Sequence, residues 1–182
     1  MTGVLRRGEG LLVQTAGGRE RFDEVIMACH GDQALRLLAE PTPEEEEVLG
    51  AFRFADNQVV LHTDISHLPG SRRAWASWNY RMVDSARTHT VLTYNMNILQ
   101  RLDKRHTYLV TLNQEIDEKH VLARFTYSHP VYSLAAIAAQ QRWSTVSGRF
   151  GVHFCGAYWR NGFHEDGVVS ALRVIDTIEA RP

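Results

Sequence analysis

Nine histidines, two cysteines and a glycine-containing stretch near the end are the residues of this chain with the most chemical reach. The histidines do not fall at metal-ligand spacing. His62 and His67 are five apart across the end of a strand-like run with no cysteine near them, and His164-Glu165 lacks the second histidine of H-E-x-x-H. A serine hydrolase elbow needs G-x-S-x-G, and Ser147-Gly148 lacks the first glycine. Cys29 and Cys155 sit at the ends of apolar runs, the wrong setting for a reactive thiolate. No catalytic residue is assigned on these grounds, and no metal is expected. What remains is the stretch from Val152 to Leu172: a short apolar strand, a loop bracketed by Gly156 and Gly162, and a helix opened by Glu165 and Asp166. Acidic residues suit a helix N-terminus because they oppose its positive dipole end. Val168, Val169, Leu172, Ile175 and Ile178 recur at helical spacing and are expected to form the buried face. Such a strand-loop-helix either offers free backbone N–H groups to an electron-rich ligand or is a tight turn that packs a helix on a sheet.

The elements that would hold this stretch follow from the pattern upstream. Val4 to Arg7, Leu11 to Thr15 and Glu20 to Phe22 read as strands of a meander, with turns at Gly8-Glu9-Gly10 and Gly17-Gly18. Val25 to Ala28 is a continuous apolar run, expected to be a strand buried on both faces. A helix follows from Gly31 to Leu38, with Ala34, Leu35 and Leu38 along one side. Thr42, Pro43 and Glu45 form a capping-box start for another helix, which accounts for Glu44 to Glu47 more simply than a cation site does. From about 57 to 128 the runs turn strand-like: 58–63, 73–80, 90–95, 108–112 and 123–127. This predicts an antiparallel sheet. Trp78 and Tyr80 share a strand face and Trp75 the opposite one, so the pair either lines a substrate cavity or belongs to ordinary core. Leu134 to Trp143 reads as an alanine-rich helix, and Gly148 to Gly151 as a turn.

The segment FCGAYWRNGFHEDGVVSALRV (154–174) resembles the C-terminal flavin-binding segment of the FAD-dependent amine oxidase superfamily. The nearest likeness is to its bacterial branch of NAD/FAD-binding, amine-oxidase-like oxidoreductases. DEVIMACHGDQALRLL (23–38) and HPVYS (129–133) extend the resemblance along most of the chain. It implies an α/β (α+β) fold: the C-terminal part of an FAD-binding Rossmann-like domain at 1–49 and 131–182, with an inserted, mostly antiparallel substrate-binding sheet at 50–130. It also implies FAD as cofactor, with Ala28, Cys29, Gly156, Ala157, Gly162, Phe163 and His164 around it and Trp78 and Tyr80 toward the substrate. Reduction of the flavin builds negative charge near N1 and the C2 carbonyl, which a helix N-terminus around Gly162 to Glu165 would stabilise. Phe163 would lie beside the ring. His164 is either a polar contact to the cofactor or a packed loop residue, and Arg160 reaches either the flavin pyrimidine or solvent. The reaction implied is hydride transfer from a C–N or C–C bond to flavin.

One family signature is missing. The sequence has no G-x-G-x-x-G, the turn that holds a dinucleotide pyrophosphate; Gly8-Glu9-Gly10 has no third glycine in register. The chain is therefore expected to be a truncated or split form that binds FAD weakly or not at all alone, and to work with a separate N-terminal FAD-domain chain or by self-association. The rival expectations are a non-enzymatic binding module that has lost flavin and a small carrier of lipids or other hydrophobes. The 182 residues carry a net charge of −1, which gives no electrostatic case for nucleic acid or an anionic membrane. Two apolar-flanked cysteines suit a reducing cytoplasm, and no apolar run reaches membrane-spanning length.

Overall fold

The computed structural model describes residues 1–8, 10–82, 91–103 and 105–180. Glu9 of the first expected turn and Thr90 of an expected strand lie outside them. The chain forms two compact units, Met1–Ala55 with Pro130–Pro182, and Asp56–His129.

The first unit opens with β1 (Gly3–Arg7), β2 (Gly10–Thr15) and β3 (Gly18–Phe22), an antiparallel meander in that order. Val4 and Leu11 point into the core, while β3 is exposed throughout. Then come β4 (Val25–Met27), α1 (Gly31–Leu37) and α2 (Pro43–Gly50). Met27 is buried but Ile26 is 46% exposed, so β4 is not covered on both faces. Its sheet has two strands, and its partner strand is buried throughout. At α2 the capping box is complete. The Thr42 hydroxyl accepts the Glu45 N–H at 3.2 Å, and the Thr42 N–H donates to Glu45 Oε2 at 2.8 Å. The buried Glu45 also holds Arg6 at 2.6 Å and Glu47 pairs with Arg142, so these two carboxylates are engaged within the fold.

β5 (Arg53–His62) carries the chain into the second unit. Short 3-10 turns at Ile65–His67 and Arg72–Ala74 precede β6 (Trp78–Arg81). β7 (Val91–Asn95), α3 (Met96–Leu99), β8 (Leu109–Leu112) and β9 (Val121–Val131) follow. The sheet order is β6-β7-β8-β5-β9, with β6/β7, β7/β8 and β8/β5 antiparallel. Period-two burial holds along β7, where Val91, Thr93 and Asn95 face inward. The strand expected over 73–80 begins only at Trp78. Asn79 binds back to Ala76 through both its amide nitrogen and its oxygen, and the Trp75 indole N–H donates to the Pro69 carbonyl at 2.8 Å. These local bonds compete with a ladder and turn 72–76 into a loop, so Trp75 has no place on a strand face.

Back in the first unit, Ser133 caps α4 (Leu134–Gln140), and α5 (Trp143–Val146) is a separate turn. The single helix expected to Trp143 breaks because Gln141 and Arg142 close it with tighter bonds, and Trp143 turns into the core to donate to the Phe154 carbonyl at 2.8 Å. β10 (Val152–Phe154) pairs in parallel with β4 and leads through a 3-10 turn, Ala157–Trp159, into α6 (His164–Glu179). The buried side of α6 is Asp166, Ser170 and Val174, with Ala171 and Ile178 packed against the core. Val168, Leu172 and Ile175, expected inside, are 52%, 53% and 43% exposed. The small and polar residues face inward because the glycine loop lies close against them: the Ser170 hydroxyl accepts the Gly156 N–H at 2.7 Å.

Candidate functional site

Parallel pairing decides what meets at this end of the molecule. Met27 lies opposite Phe154, and the Cys155 N–H donates to the Met27 carbonyl at 3.2 Å. The segments that follow, Ala28-Cys29 and Gly156-Ala157, therefore leave the same edge of the sheet, the carboxyl ends of its strands, where open α/β sheets take their ligands. Ala28 is exposed, and Cys29, Gly156 and Ala157 are partly so. The Gly162 N–H donates to the Ala157 carbonyl at 3.1 Å, which ties the second glycine to the first. Phe163 and His164 then stand exposed at the start of α6.

The loop between the glycines is tightly held. Gln140 donates to the carbonyls of Tyr158 and Arg160 at 2.9 and 2.6 Å. Asp166 turns back from the first turn of α6, and its Oδ2 accepts the N–H groups of Asn161 and Phe163 at 3.2 and 3.0 Å. Asp166 thus uses the Phe163 N–H, leaving those of His164 and Glu165 as the ones a helix start cannot pair internally. Glu165 is exposed. Arg160 lies 3.7 Å from Asp166, with its side chain more than half exposed. Gly156 sits at φ 151°, where a Cβ would come 2.5 Å from the Tyr158 ring. Its glycine is thus required by the protein's own packing.

The thiols are not primed for chemistry. Burial pushes the pKa of both Cys29 and Cys155 up, away from the thiolate. Burial likewise raises the Tyr158 phenol. Among the described residues no three His, Cys, Asp or Glu side chains cluster closely enough to hold a metal ion.

In the second unit Trp78 and Tyr80 are 51% and 64% exposed, so they are not core. They line a groove of about 350 Å³ with His67, Leu68, Ala76 and Arg81 among its other walls. His67 and Arg81 lie on a turn and at a strand end, with no pattern in the sequence to mark them. Nor were Ser170 and Asp166 expected as the braces of the glycine loop. An acid at the third helical position was the available signal for Asp166.

The two ends of a flavin site differ in fit. Ala28, Gly156, Ala157 and the start of α6 make a small-residue edge with two backbone donors, which suits an electron-rich ring. For the pyrophosphate, the sequence holds no glycine-rich turn.

No family model matches the sequence, and no curated protein matches it. Solved structures do match. The "Putative protoporphyrinogen oxidase" of Exiguobacterium sp. 255-15 superposes with a TM-score of 0.65 at 16% identity, over 97% of this chain and 45% of that one. The CLA-producing fatty acid isomerase of P. acnes gives 0.64 at 11%, over 96% and 46%. Reduced UDP-galactopyranose mutase gives 0.66 at 11%, over 98% and 46%. The chain spans about half the length of the solved structures it matches. At these identities the likeness is one of architecture, and the chain has the fold of the corresponding part of these three structures.

Proposed function

We propose that the chain supplies the ring-facing part of an FAD-dependent oxidoreductase of amine-oxidase-like type, with the first unit toward the cofactor and the second toward the substrate. One observation carries this reading: the in-register parallel pair β4/β10 delivers Ala28-Cys29 and Gly156-Ala157 to one sheet edge, with α6 starting a few residues on. In that role Ala28, Cys29, Gly156 and Ala157 border the ring, and Phe163 and His164 flank it. The N–H groups of His164 and Glu165 stabilise negative charge beside it. When bound, flavin supplies hydride acceptance from a C–N or C–C bond. No acid or base of this chain is assigned a proton. The names of two relatives, an isomerase and a mutase, show that the fold is compatible with other outcomes. Oxidation is proposed from the resemblance of 154–174 to the oxidases.

The pyrophosphate end is assigned to an α/β segment bearing G-x-G-x-x-G. It covers the apolar row Val168, Leu172 and Ile175 on α6, which is exposed here at helical i, i+4, i+7 spacing. Two observations support that occupant: the matched structures continue for more than half their length beyond this chain's match, and a two-stranded parallel sheet is too small to stand alone. The two free thiols favour a reducing compartment such as the cytoplasm, and no described helix is long and apolar enough to cross a membrane.

The test is a visible absorption spectrum after gel filtration with FAD, for the chain alone and after co-expression with a G-x-G-x-x-G polypeptide from the same source. The expected result is little retained flavin alone and a stoichiometric flavin band in the pair. A pair that forms without flavin would overturn the oxidoreductase reading and favour a non-enzymatic binding module. The missing fingerprint is the observation on that module's side.

A further inference from the structure

The two edges of the small parallel sheet in the first unit are in opposite states. Alternate residues of a strand turn their N–H and C=O groups to opposite sides, so the bonds between β4 and β10 also fix which groups face away. The Val25 N–H donates to the Gly151 carbonyl at 2.9 Å, and the Met27 carbonyl accepts the Cys155 N–H at 3.2 Å. Val25 and Met27 therefore face β10, and Ile26 and Ala28 direct their backbone groups outward. On β10 the outward residues are Val152 and Phe154.

The β10 edge is closed. The Val152 N–H donates to the Arg149 carbonyl at 3.0 Å, and the Val152 carbonyl accepts the Gly148 N–H at 2.8 Å. The Phe154 N–H donates to the Ser147 hydroxyl at 3.1 Å, and the Phe154 carbonyl accepts the Trp143 indole N–H at 2.8 Å. Both residues are fully buried. The β4 edge is open. Among the described residues the backbone groups of Ile26 and Ala28 have no hydrogen-bond partner, and both residues are exposed. Val25-Ile26-Met27-Ala28 carries none of the charges or prolines that blunt an edge meant to stay bare. Such an edge is a template for one more strand.

We propose that the β4 edge is the docking site for an extended strand of the polypeptide that completes this fold, held by main-chain pairing to Ile26 and Ala28. The proposal rests on the reading of a separate G-x-G-x-x-G segment, and it names the surface by which that segment joins. The matched structures continue for more than half their length beyond this chain's match, which is ample for such a strand. A second copy of this chain would offer only its own three-residue β4 in return, shorter than a usual strand.

Residue-resolved amide hydrogen exchange, on the chain alone and on its co-expressed complex with the G-x-G-x-x-G polypeptide, tests this. In the chain alone the Ile26 and Ala28 amides are expected to exchange freely while those of Val152 and Phe154 are protected. In the complex the Ile26 and Ala28 amides are expected to slow by about a hundredfold. Ile26→Pro removes an outward N–H that no bond within the chain uses, so the variant is expected to keep its circular dichroism yet pair about tenfold more weakly. Ile26→Val keeps the N–H and pairs like the wild type. Open Ile26 and Ala28 amides in the complex, or a folded Ile26→Pro chain that pairs normally, overturn the proposal and leave the reading of a separate segment in place. Protection in the chain alone that rises with its concentration assigns the edge to a second copy and overturns the proposal too. No complex at all overturns both. No flavin is needed for any of these readouts.

Discussion

His62 carries the clearest pH signature at the level of single residues. It is fully buried, and its Nδ1 accepts the Asp64 N–H at 3.1 Å, which places the proton on Nε2 to donate to Thr111 Oγ1 at 2.7 Å. Thr111 in turn bonds Thr93 at 2.8 Å, so the ring is built in as the neutral tautomer. Protonating Nδ1 would break the bond to Asp64. Burial first, then the neighbouring His67 and His120, push the pKa of His62 down from 6.5 to about 4, against the pull of Asp64. The unfolded chain therefore binds a proton that the folded chain refuses between those values. Stability is fully present above pH 6.5 and is lost as pH falls toward 4, by about 1.4 kcal/mol per pH unit for this one group. His67, also lowered by burial, acts in the same direction. Urea melts of the chain are expected to show this slope, and His62→Gln is expected to flatten most of it at the cost of lower stability at neutral pH. An unchanged slope in the variant would assign the acid sensitivity elsewhere. None of this could be read from the sequence, which shows His62 as an ordinary strand-end residue. The Thr111 and Thr93 partners come from strands 49 and 31 positions away, brought together only by the sheet.

Among the elements, α6 shows where sequence pattern and structure part. Its limits, its acidic first turn and its place after the glycine loop were legible, because caps and periodicity are local properties. Its orientation was not. The more apolar row was expected inside, yet Asp166, Ser170 and Val174 are the residues buried. The helix seats its small and polar side on the loop because the loop's backbone donors need acceptors there, and Ser170 and Asp166 provide them. The same limit applies to β4, whose apolar run correctly marked a strand but not that Ile26 would lie open. The two faces of α6 should respond differently to substitution. Val174→Ala removes a fully buried side chain and is expected to cost about 1–2 kcal/mol in denaturant titration. Leu172→Glu changes a half-exposed position and is expected to stay within about 0.5 kcal/mol. It should nevertheless abolish co-purification with the G-x-G-x-x-G segment, whose apolar face would meet a buried, unpaired carboxylate. A Leu172→Glu chain that still co-purifies would remove this row from the interface.

For the whole molecule, the chain leaves the first unit along β5 and returns along β9, and these strands are neighbours in the sheet. Side chains join them near the crossing: Asn57 bonds His129 at 3.0 Å, and Ser128 bonds Asp56. The two ends of the inserted unit are therefore close, the arrangement in which a domain can be added to or removed from a host with little disturbance. Strand-like runs from 57 to 128 lie between helical segments in the sequence, a change of hydrophobic period that survives without knowledge of pairing. If the first unit faces the cofactor and the second faces the substrate, replacing 56–129 with a short Gly-Ser linker should separate the two functions. The trimmed chain is expected to keep the near-ultraviolet dichroism of Trp143 and Trp159, which lie in the core of the first unit. Its Tm should fall by only a few degrees, and it should still form a flavin-retaining pair with the G-x-G-x-x-G segment. Loss of flavin with the first unit still folded would place part of the cofactor's support in the second unit and overturn this division of labour.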